Sequence, residues 1–129
     1  MDKKKLLIVD DDIDLLLQLK MQLEGAGYDV TSAESRNEAK ELMEKFTPDL
    51  AVVDLMMERM DDGFVLCYDI KKKNADIPVI MVTGVSRETG MEFDAATDEE
   101  RSWLKADVIL AKPIRFEQLT REIDRLLKG

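Results

Sequence analysis

Leu50-Ala51-Val52-Val53-Asp54 is the stretch whose reading decides the fold. Four apolar residues in a row end abruptly in a carboxylate. Three other stretches have the same form. Leu6-Leu7-Ile8-Val9 runs into Asp10-Asp11, Ile77-Pro78-Val79-Ile80-Met81-Val82 into Thr83, and Val108-Ile109-Leu110-Ala111 into Lys112. Short all-apolar runs rich in Val and Ile read as strands covered on both faces, the condition of a parallel sheet. Sites in such sheets form just beyond the carboxyl ends of the strands. All four polar groups stand at carboxyl ends, so a parallel sheet brings them to one mouth. Chance supplies one such strand end easily and four together rarely.

Helical patterns fill the gaps between the runs. After a first strand from Lys5 to Val9, a helix is expected from Ile13 to Glu24. Leu15, Leu16, Leu19 and Leu23 form its inner stripe, Asp12 stands at or near its N-cap, and Gly25 and Gly27 end it. Tyr28 to Ser32 is a more polar strand and is therefore expected at an edge. Ser35-Arg36-Asn37-Glu38 has the form of a capping box, and Ala39, Leu42, Met43 and Phe46 give the helix behind it an apolar face. The third strand is Leu50 to Val53. Gly63 to Lys73 reads as a third helix facing inward with Phe64, Cys67 or Leu66, and Ile70. Pro78 to Val82 is the fourth strand. Residues 84–96 are irregular, and Thr97-Asp98-Glu99-Glu100 opens a short helix carrying Trp103 and Leu104. Strand five is Val108 to Ala111. A last helix from Arg115 to Leu127 buries Phe116, Leu119, Ile123 and Leu126. Strand and helix thus alternate five times. A (βα)5 chain with right-handed crossovers gives a three-layer α/β/α sandwich.

The bulk numbers narrow the chemistry. The chain has 129 residues, 45% of them hydrophobic, enough for one domain with one core. A net charge of -9 leaves no basic footprint for direct nucleic-acid binding. No apolar run approaches a membrane span, and Asp10 to Asp12 cut the first one too short for a signal peptide. Cys67 is a single cysteine, which excludes an internal disulfide and agrees with a cytoplasmic protein. Histidine is absent, so Ser-His and Cys-His catalysis and His-ligated zinc are excluded. Carboxylates, hydroxyls, lysine and a hard metal ion remain.

Three carboxylates at one mouth repel one another unless a cation compensates, and a hard divalent ion with oxygen ligands does so. Asp54 can attack a phosphoryl group to form an acyl phosphate. Lys112 offers a compact positive charge and Thr83 a hydroxyl donor. Each residue alone has a plainer explanation. Acids are common at helix N-termini, Lys112 could pair with an acid, and Thr83 could be an ordinary strand residue. Their convergence at four strand ends weighs against those explanations.

Asp10-Asp11, Asp54, Thr83 and Lys112-Pro113, in this order and close to the right spacing, resemble the receiver domain of two-component response regulators. The resemblance covers essentially the whole chain and implies one domain over residues 1–129. It implies a flavodoxin-like fold with strand order 2-1-3-4-5, and a stand-alone receiver with no output domain after Gly129. It further implies Mg2+ held by Asp10, Asp11, Asp54 and the backbone carbonyl of Met56, with Asp10 acting mainly through water. Asp54 would accept a phosphoryl group, assisted by Thr83 and Lys112, from a phosphohistidine on a sensor histidine kinase or histidine phosphotransfer protein. Since the chain lacks histidine, that donor is another molecule. The signal would pass to a downstream protein by contact or onward relay, with no enzymatic turnover beyond self-phosphorylation and slow autodephosphorylation. Receivers usually have a cis bond before the proline at position 113.

Three features depart from the family pattern. Glu58 replaces the usual proline, Ile109 stands where an aromatic switch is usual, and the segment between Thr83 and Lys112 is long. The two positions that line the approach of hydrolytic water are Met56 and Val85, both apolar, which implies slow loss of phosphate. Met56, Met57 and Met60 read either as core filling or as an adaptable rim for a partner helix. Other functions fit less well. An aspartate-nucleophile, Mg2+-dependent phosphohydrolase needs a second acid where Met56 stands. A flavin mononucleotide site would not follow strand one with three aspartates. A receiver-like module used only for protein interaction would not need the full acceptor set.

Overall fold

The computed structural model describes residues 3–54, 62–83, 107–111 and 115–128. Within them the chain order is β1 (Lys5–Val9), α1 (Ile13–Gly25), β2 (Asp29–Ala33), α2 (Arg36–Lys45), β3 (Leu50–Asp54), α3 (Asp62–Lys73), β4 (Val79–Thr83), β5 (Val108–Ala111) and α4 (Phe116–Lys128). All strand pairings are parallel, and the sheet order is β2-β1-β3-β4-β5. The expected order is therefore observed, with the more polar second strand at one edge. The short helix expected around Trp103 lies outside the described residues.

Alternation along the strands separates two apolar layers. Leu7 and Val9 of β1, Ala51 and Val53 of β3, and Val79 and Met81 of β4 face α2 and α3. Leu6, Ile8, Leu50, Val52, Ile80 and Val82 face α1 and α4. The residues between them point the opposite way because side chains alternate with a period of two. Against the first layer pack Ala39 and Met43 from α2, and Leu66, Cys67 and Ile70 from α3. Against the second pack Leu16, Leu19 and Leu23 from α1, and Leu119 and Ile123 from α4. Each of these central side chains is under 5% exposed, so burial on both faces explains why the strands are apolar throughout.

Caps fix where the helices begin and end. Asp12 is the N-cap of α1 and accepts from Leu15 N at 3.2 Å. Ser35 caps α2 and accepts from Glu38 N at 3.2 Å. At the far end of α1, Gly27 takes a φ of 101°, a left-handed conformation that suits glycine. Gly27 N and Tyr28 N then donate to Glu24 O and Leu23 O, both at 3.1 Å. These bonds end α1 and lead the chain into β2.

Candidate phosphoacceptor site

Sheet register brings the sequence-distant acids together. Val9 pairs with Val53, so Asp10 follows β1 directly beside Asp54, the last residue of β3. Asp54 in turn pairs with Val82, and Thr83 with Ala111. Strands β1 and β3 are adjacent but their connections leave on opposite sides of the sheet. That divergence opens a crevice at their carboxyl ends.

In this crevice each of Asp10, Asp11 and Asp54 presents a carboxylate oxygen within 4.8 Å of the others. Asp10 and Asp54 are only 3% and 4% exposed, whereas Asp11 faces solvent. Backbone geometry holds the group in place. Asp10 N donates to Ala33 O at 3.1 Å, and Asp10 Oδ1 accepts from Asp12 N at 2.9 Å. Asp12 meanwhile caps α1, so the positive end of that helix lies beside the acids. Two buried carboxylates and one exposed one, all oxygen donors, suit a hard cation that keeps part of its water shell.

The profile of the family described as "Response regulator receiver domain" matches residues 6–124. The chain belongs to this family. Among curated relatives, the heme response regulator HssR of Staphylococcus aureus is 37% identical over 123 residues, which is 95% of this chain and 50% of that protein. The chain spans about half the length of the curated relatives it matches. Among solved structures, a CheY-like receiver domain protein of Methanospirillum hungatei superposes with a TM-score of 0.83 at 29% identity, covering 98% and 95% of the two chains. The response regulator TrrA of Thermotoga maritima, in complex with Mg2+ and BeF, superposes at 0.78 with 27% identity, covering 96% and 99%.

Of the residues singled out from the sequence of this receiver domain, Asp10, Asp11 and Asp54 come together as expected. Thr83 is the last residue of β4, beside the end of β5. Met56, Glu58, Val85, Lys112 and Pro113 lie outside the described residues, as does the segment 84–97. Ile109, at the usual aromatic switch position, is partly buried against the α2 and α3 layer. Sequence reading missed one feature beside the site. Ile13, Leu17 and Met21 are 52%, 57% and 74% exposed and form a second apolar stripe on α1. Their i, i+4, i+8 spacing was the available signal. It was hidden by the inner stripe of Leu16, Leu19 and Leu23, which accounts for the helix without it.

Proposed function

We propose that this receiver domain accepts a phosphoryl group on Asp54 in a Mg2+-dependent reaction, from a phosphohistidine of a sensor histidine kinase or a histidine phosphotransfer protein. The observation that carries this is the group of three carboxylates within 4.8 Å, two of them buried. Asp10, Asp11, Asp54 and the backbone carbonyl of Met56 would hold the ion. When bound it neutralises charge on the phosphoryl oxygens. The Thermotoga relative forms a complex with Mg2+ and BeF, which supports a Mg2+-dependent reaction here.

In the transfer, an Asp54 oxygen forms a bond to phosphorus while the phosphorus–nitrogen bond to the donor imidazole breaks. The imidazole leaves with the electron pair of that bond. Asp54 ends a strand that is buried throughout, a rigid seat that supports its use as the nucleophile. Most of the rate in such transfers comes from positioning and charge, which assigns Lys112 to the phosphoryl oxygens and Thr83 to donating a hydrogen bond. Ile13, Leu17 and Met21 extend from the acidic rim for about 12 Å along α1, an apolar surface that supports a protein donor over a small molecule. Among the described residues no helix is long and apolar enough to cross a membrane. A cytoplasmic site of action fits this reading, with signal output to a downstream protein by contact or relay.

Incubation with Mg2+ and acetyl phosphate followed by intact mass tests the assignment. A single base-labile phosphoryl adduct is expected, absent with chelator and absent in Asp54→Asn. An adduct that persists in that variant and maps to Ser or Thr would overturn it.

A further inference from the structure

At the end of the sheet opposite the acidic mouth, Lys71 and Asp107 tie several pieces of chain into one knot. Asp107 stands immediately before β5. Its Oδ2 accepts from Val79 N at 2.8 Å and from Lys71 Nζ at 2.8 Å, and its own N donates to Val79 O at 2.9 Å. Lys71, in the last turn of α3, also donates to Ile77 O at 2.7 Å and to Ala75 O at 3.4 Å. Its side chain is 13% exposed, and that of Asp107 38%. The Asp107 carboxylate and the Lys71 ammonium together therefore join the end of α3, the turn after it, the first residue of β4 and the residue before β5.

The location gives this knot a consequence beyond stability. β5 has four residues and pairs with β4 alone among the described strands. So short a ladder contributes few hydrogen bonds to hold its own register. Asp107 anchors it at the first step, and the pairs then run from Ile80↔Val108 to Thr83↔Ala111. Lys112 is the next residue in sequence. A slip by one residue would move the end of β5 at Ala111, from which the chain continues, by about 3.3 Å and turn the β5 side chains to the other face.

We propose that Asp107, held by Lys71, is a positioning residue for phosphoryl transfer: it fixes the register of β5 up to Ala111, the residue that immediately precedes Lys112 in sequence. This inference rests on the role assigned above to Lys112. A misplacement of about 1 Å far from the reacting atoms can cost on the order of 100-fold in rate. Asp10, Asp11 and Asp54 belong to the ends of β1 and β3 and lie outside the knot, so ion affinity and transfer rate should separate.

The test uses the full chain with Mg2+ and acetyl phosphate, with folding of each variant checked by circular dichroism. Asp107→Ala should slow phosphorylation about 10-fold while changing Mg2+ affinity less than about 2-fold. Lys71→Met should slow it less, because Asp107 keeps its bond to Val79 N. Adding Asp107→Ala to Lys112→Ala should cost nothing further, since the first acts through the second. Three results would overturn the proposal: a parent rate in Asp107→Ala, a loss that adds in full to that of Lys112→Ala, or a fall in Mg2+ affinity matching the fall in rate. A parent rate in Lys112→Ala would instead remove the role of that lysine, and this inference with it. If Asp107→Ala does not fold, Asp107→Asn, which keeps one acceptor oxygen, carries the same comparisons.

Discussion

Replacing Asp54 by Asn should stabilise the ion-free domain while abolishing its acceptor. The carboxylate of Asp54 has an oxygen within 4.8 Å of one from Asp10 and one from Asp11. At that distance two like unit charges repel by about 3.5 kcal/mol at an effective dielectric of about 20, and by about 1 kcal/mol in water. Asp10 and Asp54 are both nearly inaccessible, so their pair lies nearer the first figure, and the exposed Asp11 lies nearer the second. The two pairs together come to about 4.5 kcal/mol before any compensation. Counterions and the favourable contacts that the Asp54 carboxylate makes offset part of this, leaving about 2 kcal/mol in favour of the amide. The unfolding entropy of a chain of 129 residues is about 0.27 kcal/mol per kelvin, so the midpoint should rise by about 7 °C. Thermal melts followed by circular dichroism, in chelator and in millimolar Mg2+, measure both halves of the argument. Mg2+ should raise the midpoint of the parent, because a ligand bound only by the folded state stabilises it. It should raise that of Asp54→Asn far less. A lower midpoint for Asp54→Asn in chelator, or an equal Mg2+ shift in both proteins, would refute the reasoning.

Leu119→Ala should cost about 3 kcal/mol, because Leu119 is fully buried between α4 and the sheet and its loss leaves a cavity. A urea titration showing a loss under about 1 kcal/mol would mean that α4 closes the gap. Tyr28 gives a spectroscopic prediction. Burial first, then its hydrogen bond to Asp124 and the charge of that carboxylate, push its phenol up from 10.0 to about 12. The raised value favours the fold fully below a pH of about 10, and that contribution is lost as the pH rises through about 12. Asp124→Asn should move the absorbance titration of Tyr28 part of the way back towards 10.0, and an unmoved midpoint would assign the whole shift to burial.

Much of this arrangement was legible in the sequence, for an identifiable reason. Strands buried on both faces must be apolar throughout, so the polar residue that ends each one stands out, and the fold then gathers those ends. Details set by hydrogen bonding were less visible. Tyr28 reads as strand, but its amide is held by Leu23 O in the cap of α1, so β2 begins at Asp29. Pro78 also reads as strand. It has no N–H, and although its carbonyl accepts from Ala51 N at 3.0 Å, β4 begins at Val79. The sequence left open whether Leu66 or Cys67 of α3 points inward. Both are fully buried, because that helix packs against α2 as well as the sheet. The Lys71–Asp107 knot could not be read at all. Its partners are 36 positions apart, and each is an ordinary charged residue with no periodic signature.

The site also constrains the order of events when the chain folds. Asp11 and Asp54 come from strands that touch only after the chain has travelled through α1, β2 and α2 and returned. Closing that path is the slow, non-local part of assembling a parallel sheet. An ion held by these acids would therefore have no complete site until β1 and β3 have docked. It would not seed collapse, and it would act as a latch on the finished domain. Its presence should be felt chiefly as a longer native lifetime, with unfolding slowed and refolding little changed, unless the β1–β3 pairing already exists at the folding barrier.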